Sequence, residues 1–261
     1  MKQLDIAMVG KRFGSLEALR DLSVRVAAGE FVAIVGPSGC GKTTLMRIIA
    51  GLETPDQGKV LVGDRTVTGP GPDRGFVFQT DSLLPWKTIW KNATIGLQLN
   101  GQLNDKSTTR TRELLKLVGL DGFENYWPAQ LSGGMRQRVN LARALAIDPD
   151  VLLMDEPFSA LDAQTREIMQ TELLRIWELG RKTVLFITHQ IDEAIFLADR
   201  VVVLGRRPGR VKEIISVDLP RPRQLAFKRR PEFVEMVDRI WSLIESDVRD
   251  SVREEAEVAR T

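Results

Sequence analysis

Three short apolar runs stand out along the chain, at residues 31–35, 151–154 and 184–188. Each is bounded by polar or turn-forming residues and followed by a stretch with helical spacing, the pattern of a parallel strand buried on both faces. Strands alternating with helices predict an α/β fold. Two earlier segments, 4–9 and 22–26, alternate apolar and polar residues instead, which predicts half-buried antiparallel strands. Between about 85 and 145 no segment has a strand pattern. Leu114, Leu115, Val118 and Leu120 recur with helical spacing after the polar start at 105–109, which predicts a helical subdomain inserted into the α/β core.

After Leu204 the pattern breaks. Residues 205–230 carry nine Lys or Arg against two acids, Glu213 and Asp218. Such a tract could contact nucleic acid or anionic lipid. It lacks interleaved aromatics, so it is better taken as a solvated or partner-contacting linker. Pro231 then opens an amphipathic helix whose apolar face holds Phe233, Val237, Ile240, Trp241, Ile244, Val248 and Val252. Such a helix packs on its own domain or on a sister subunit.

With 261 residues and 43% hydrophobic composition, the chain can bury a core in one or two units. Its net charge of +2 argues neither for nor against nucleic acid. No apolar run approaches the about 20 residues of a membrane span. The start, Met1-Lys2-Gln3-Leu4-Asp5, lacks the apolar stretch of a secretory signal. The one cysteine, Cys40, excludes an intrachain disulfide. A cytosolic protein is the expectation.

The first candidate site is Gly36-Pro37-Ser38-Gly39-Cys40-Gly41-Lys42-Thr43, which matches G-x-x-x-x-G-K-[ST] between a predicted strand and a helix-like run beginning at Thr44. Glycines at 36, 39 and 41 let the backbone curl so that its N–H groups face phosphate oxygens at a helix N-terminus. Lys42 would neutralise β- and γ-phosphate charge and Thr43 would ligate Mg²⁺. A chance match around a glycine turn is roughly a one-in-a-hundred event in a chain of this length. Cys40 reads as a bystander whose backbone matters more than its thiol.

The strand at 151–154 ends in Asp155-Glu156. Asp155 suits a role holding Mg²⁺ through water, and Glu156 could polarise an attacking water. The plain alternative is an acidic pair capping a helix. His189, the only histidine, follows the strand at 184–188. No second His or Cys cluster exists to complete a metal shell. A third strand-end polar group at the same sheet crevice, bonding the γ-phosphate and orienting water, is the better reading.

Leu131-Ser132-Gly133-Gly134-Met135-Arg136-Gln137-Arg138 separates this chain from other phosphate-loop ATPases. Ser132 can cap the helix that follows, and paired glycines let N–H groups approach an anion. This string resembles the signature motif of ATP-binding cassette (ABC) ATPases. Other positions follow in family order across residues 4–204. Gln79, in Phe76-Val77-Phe78-Gln79, resembles the glutamine that senses Mg²⁺ and water. Ser159-Ala160-Leu161-Asp162 resembles the loop that crosses a dimer interface, and His189 matches the switch histidine. Phe13 stands where the adenine-stacking aromatic is often tyrosine; a phenylalanine can still stack, and a core phenylalanine beside a turn is the alternative.

The resemblance implies a P-loop NTPase (RecA-like) α/β core with an antiparallel β subdomain and an inserted α-helical subdomain. Residues 1–230 would form the ATPase domain and 231–261 a C-terminal amphipathic helix. It implies ATP and Mg²⁺ as ligands, with Thr43, Gln79 and Asp155 around the metal. Phe13, residues 36–44 including Thr44, and Gln79 would hold one face of ATP. Leu131, Ser132, Gly133, Gly134, Gln137 and Asp162 would come from the second subunit of a two-fold dimer. Glu156 and His189 would be catalytic. Integral permease subunits and a solute-binding protein would be partners, on the cytoplasmic face of the inner membrane, with no nucleic acid. Leu83-Leu84-Pro85-Trp86, Leu219-Pro220-Arg221-Pro222-Arg223 and Arg230-Pro231-Glu232-Phe233 look like importers of nitrate, sulfonates, taurine and related solutes. The rivals are a non-transport ABC ATPase acting on ribosomes or nucleic acid and a regulatory module without catalysis. The segment between Lys42 and Ser132 has no heptads or cysteine clusters, and Glu156 and His189 are both present, which weighs against them.

Overall fold

The structure, a computed structural model, describes residues 1–80 and 82–258, with side chains to residue 250. In chain order the elements are β1 (Leu4–Phe13), β2 (Leu16–Val26), β3 (Phe31–Val35), α1 (Lys42–Ala50), β4 (Gln57–Val62), β5 (Arg65–Thr66) and β6 (Arg74–Val77). They continue with α2 (Ile89–Leu99), α3 (Asp105–Leu117), α4 (Gly133–Ala146), β7 (Val151–Asp155), α5 (Ala163–Gly180), β8 (Thr183–Ile187), α6 (Ile191–Leu197), β9 (Arg200–Leu204), β10 (Val211–Ser216) and α7 (Pro231–Val258). Two sheets result. An antiparallel sheet has the order β2-β1-β4-β5, and a second has the order β10-β9-β3-β8-β7-β6. The second is parallel except for β10, which runs antiparallel to β9.

The three apolar runs occupy the centre of the parallel sheet, and every residue of β3, β7 and β8 is buried. The period of two along a strand explains why continuous apolar runs were needed. Phe31, Ala33, Val35, Leu152, Met154, Val184 and Phe186 point into one core, shared with α4, α5 and α6. Val32, Ile34, Val151, Leu153, Leu185 and Ile187 point into the other, shared with α1 and the antiparallel sheet. Both sides of the sheet are therefore apolar, and the polar chemistry is left to the carboxyl ends of the strands.

The helices of residues 89–146 start at side-chain caps: Thr88 for α2, Asn104 in a capping box for α3, and Ser132 for α4. Each oxygen takes an N–H that would otherwise lack a partner, at about 1 kcal/mol per cap.

Three differences from the sequence reading have physical causes. β1 and β2 run longer than their alternation suggests, because register shifts interrupt it and Met8 and Asp21 adopt positive φ (52° and 49°). β10 lies inside the stretch read as a linker. It is an edge strand whose adjacent charges, exposed Lys212 and half-buried Glu213, break the apolar pattern and blunt edge pairing. The basic tract is also not simply solvated. Arg223 is 5% exposed and donates to the carbonyls of Ile195, Phe196 and Ala198 at 2.9, 3.1 and 2.7 Å, the C-terminal end of α6. Burial pulls its pKa down to about 10. Arg221 pairs with Asp199 at 2.8 Å and lies over the Trp177 ring at 4.2 Å. These guanidiniums fasten the segment to the core before α7 packs Phe233, Ile240 and Ile244 on the same body. Trp241 stays half exposed, and Val252, placed on the apolar face, lies beyond the described side chains, as residues 259–261 lie beyond the described backbone.

Candidate active site

The phosphate-type loop follows β3 and closes on α1, as its flanking pattern predicts. Its form depends on Gly41. This residue has φ 98°, and a Cβ there would meet Leu19 Cδ2 at 2.7 Å and the Ala18 carbonyl at 2.9 Å. Gly41 is the N-cap of α1 and offers no side-chain acceptor. The first-turn N–H groups of α1 are thus left for an anion, and the helix dipole favours one. Lys42 is 7% exposed and curls back on its own loop, donating to the carbonyls of Gly36 at 2.8 Å and Pro37 at 2.9 Å. The Cys40 sulfur lies 3.9 Å from the same ammonium. Burial pushes the Cys40 thiol pKa up, so it stays neutral and inert.

Above this loop, the segments after β6, β7 and β8 bring Gln79, Glu156 and His189 to one point. Glu156 has φ 45°, a left-handed conformation that few non-glycine residues adopt. Its N–H donates to the Ile187 carbonyl at 2.9 Å, and its own carbonyl accepts from Ser159 Oγ at 2.9 Å. Those bonds hold the twist that brings its carboxylate over the loop. One oxygen, Oε2, accepts from Gln79 Nε2 at 3.0 Å and lies 3.2 Å from His189 Nδ1. Asp155, one residue back, is 6% exposed. Burial raises its pKa, against a hydrogen bond from the Thr43 side chain and the charge of Lys42.

Phe13, Ser38, Gly39, Gly41, Lys42, Thr43, Thr44, Gln79, Glu156 and His189 line a single cleft of ≈ 570 Å³. Gly36, Pro37, Cys40 and Asp155 lie behind its surface as support, the first two through Lys42. Phe13 is half exposed, and Lys11 Nζ sits 5.2 Å from its ring centroid.

The remaining expected site residues do not reach this cleft. Gly133 and Gln137 border a separate depression of ≈ 560 Å³, together with Ser159, Ala160 and Leu161; Gln79 lines both. Ser132 Oγ accepts from the Met135 N–H at 3.3 Å, and Leu131 and Gly134 are buried. Asp162 caps α5 by accepting from the Thr165 N–H at 2.9 Å; bonds from the Thr165 side chain and backbone hold its carboxyl below the usual range. The buried Gln137 Nε2 has no partner among the described residues.

Leu16, Ala18 and Arg207 also line the cleft and were not picked out by motif. Arg207 comes from the connection between β9 and β10, inside the tract that read as a linker. Its only sequence signal was the turn pattern Arg207-Pro208-Gly209 after an apolar strand.

The family model described as ABC transporter matches residues 19–159. The chain is 47% identical over 247 residues to the nitrate import ATP-binding protein NrtD of Synechocystis sp., covering 92% of each chain. It is 51% identical over 203 residues to the taurine import ATP-binding protein TauB of Pseudomonas aeruginosa, covering 78% of this chain and 77% of that one. Among solved structures, the dimeric post-hydrolysis state of the ATP-binding cassette MJ0796 bound to ADP and Pi superposes with a TM-score of 0.72 at 32% identity, covering 83% of this chain and all of the other.

Proposed function

Since the chain belongs to the ABC transporter ATP-binding family and is an ATPase, we propose that it powers an importer of a small solute such as nitrate, a sulfonate or taurine. NrtD and TauB, named for nitrate and taurine import, support that branch. The observation that carries the reading is the meeting of Gln79 and His189 on one oxygen of Glu156, at the mouth of a cleft that includes the uncapped start of α1.

In this proposal the N–H groups at the start of α1 bind the phosphates. Lys42 exchanges the Gly36 and Pro37 carbonyls for phosphate oxygens, so the ammonium stays bonded throughout. Thr43 and Asp155 form a hard-oxygen pair suited to Mg²⁺, with Gln79 nearby; a carboxylate and a hydroxyl suffice where phosphate and water complete the shell. Bound there, Mg²⁺ would neutralise charge on the phosphates. Glu156 accepts the proton of the attacking water, while Gln79 and His189 orient that water. Phe13 offers a ring face to adenine.

Leu131, Ser132, Gly133, Gly134, Gln137 and Asp162 stand apart from this cleft within one chain. Their exposed members, Ser132, Gly133 and Asp162, are therefore available to a second copy, whose ATP they would close over across a two-fold axis. Closure has a mechanical route. Gln79 bonds Glu156, the nearby Ser82 accepts from Arg143 of α4 at 2.8 and 2.7 Å, and buried Asn92 clamps Leu84, Lys87 and Thr88. Movement at the nucleotide would pass through these bonds to the helical segment, where Trp86 stands 69% exposed for a permease. Import in this proposal needs a membrane-spanning partner; no helix among this chain's described residues is long and apolar enough to cross a bilayer. In that complex the chain is peripheral on the cytoplasmic face, beside permease subunits and a solute-binding protein.

The test is Glu156→Gln. The variant should bind ATP and double its mass in light scattering with ATP but not with ADP. Its turnover should fall by about 100-fold or more. Parent-level turnover would remove Glu156 as the base.

A further inference from the structure

The family motifs leave one charged side chain of the cleft unexplained. Arg207 stands in its wall with Phe13, Leu16 and Ala18. The turn that carries it is anchored. Gly209 donates to the Ala18 carbonyl at 2.9 Å and accepts from the Arg20 N–H at 3.1 Å, and Gly205 donates to the Arg210 carbonyl at 2.9 Å. It also presses on the phosphate loop, because a Cβ on Gly209 would sit 2.1 Å from the Cys40 carbonyl oxygen. The turn therefore occupies the seam between the β1–β2 wall and the loop that holds phosphates. The neighbouring Arg206 is committed elsewhere: its guanidinium faces Asp250 at 3.7 Å and its N–H donates to Asp247 at 3.1 Å. Arg207 is exposed, and no carboxylate among the described residues pairs with it.

We propose that Arg207 is a nucleotide ligand that binds the α-phosphate of ATP. The assignment rests on the ATP-site reading above and adds to it a phosphate contact from outside the family motifs. A guanidinium is always charged, presents a planar fork of donors that suits two phosphate oxygens, and loses little hydration in doing so. Its location selects the α-phosphate. In the ATP-site reading Lys42, Glu156 and His189 serve the terminal phosphate, whereas Arg207 shares the cleft wall with Phe13, Leu16 and Ala18. The anchored turn limits the entropy lost when the side chain closes on its ligand.

The experiment compares calorimetric affinities of parent, Arg207→Ala, Arg207→Gln and Lys42→Ala for ATP, ADP, AMP and adenosine. Arg207→Ala and Arg207→Gln should weaken ATP, ADP and AMP by a common factor of about 10, the size of one charge-assisted hydrogen bond at an open site. Adenosine binding should be unchanged. An equal loss for adenosine would place Arg207 on the base or ribose, and a loss confined to ATP would place it at the terminal phosphate; either overturns the assignment. Unchanged affinities in both Arg207 variants would remove it as a ligand, while a large loss in Lys42→Ala would show the ATP site intact. Absence of ATP binding by the parent would instead defeat the nucleotide-site reading itself. Melting temperatures without nucleotide should match the parent, since an exposed side chain carries no packing.

Discussion

Asp155 shows what the site costs at the scale of one residue. Its carboxyl is buried at a strand end, and burial raises its pKa above the ordinary 3.8, so the charged form opposes folding in the unliganded protein. The sign follows from linkage. A folded-state pKa above the unfolded one means that the favourable protonated form is fully present below pH 3.8 and is lost as pH rises through the folded value. Asp155→Asn should therefore stabilise the nucleotide-free protein at pH 7 by on the order of 1 kcal/mol, a rise of about 2–4 °C in Tm. That gain should shrink on acidification, and ATP hydrolysis should be lost. Calorimetric melting at pH 7 and pH 4 checks both signs; a variant less stable than the parent at pH 7 would show that the Thr43 bond outweighs burial. Glu156 carries a related cost as backbone strain, held by its bonds to Ile187 and Ser159.

At the scale of elements, α7 is an amphipathic helix that its apolar spacing announces, yet spacing cannot name the surface beneath it. The structure seats Phe233, Ile240 and Ile244 in the core shared with α6 and β9, with Phe233 2% exposed and Trp241 45% exposed. Phe233→Ala should cost about 3–5 kcal/mol, as expected for a fully buried aromatic, whereas Trp241→Ala should cost less than about 1 kcal/mol. Urea unfolding followed by circular dichroism separates them, and similar losses at both positions would argue that the helix packs differently. Arg223 belongs to the same element-level logic. Its charge sits where three carbonyls at the end of α6 need donors and where the helix dipole is negative, so an ion that reads as solvent-facing becomes a C-terminal cap.

At the scale of the molecule, the parallel sheet separates two apolar cores and brings the polar residues to its carboxyl edge. Gly133, at the start of α4, lines a separate depression rather than the cleft at that edge. A site assembled from two copies makes a selective prediction. Ser132→Arg should leave ATP affinity of the single chain within about 3-fold of the parent, because Ser132 touches no wall of its own cleft. In the Glu156→Gln background it should abolish the ATP-dependent doubling of mass, since a bulky cation would stand where the other copy's nucleotide must fit. Retention of the dimer in light scattering would disprove the shared site.

Periodicity and local chemistry determined much of this protein before any coordinates. Continuous apolar runs specify doubly buried strands, glycines around Lys42 specify a tight loop before a helix, and the family resemblance followed from short ordered strings. These signals are local, because each depends on backbone conformation within a few residues. The tertiary structure alone decided the rest. Pairing brings Gln79, Glu156 and His189 to one oxygen from three distant segments, and irregular register hides the full length of β1 and β2. The charged tract after Leu204 turns out to hold an edge strand, a buried arginine cap and a cleft residue. Charge in a sequence signals solvent by default, and only the positions of distant carbonyls, carboxylates and empty clefts determine which charges fold inward.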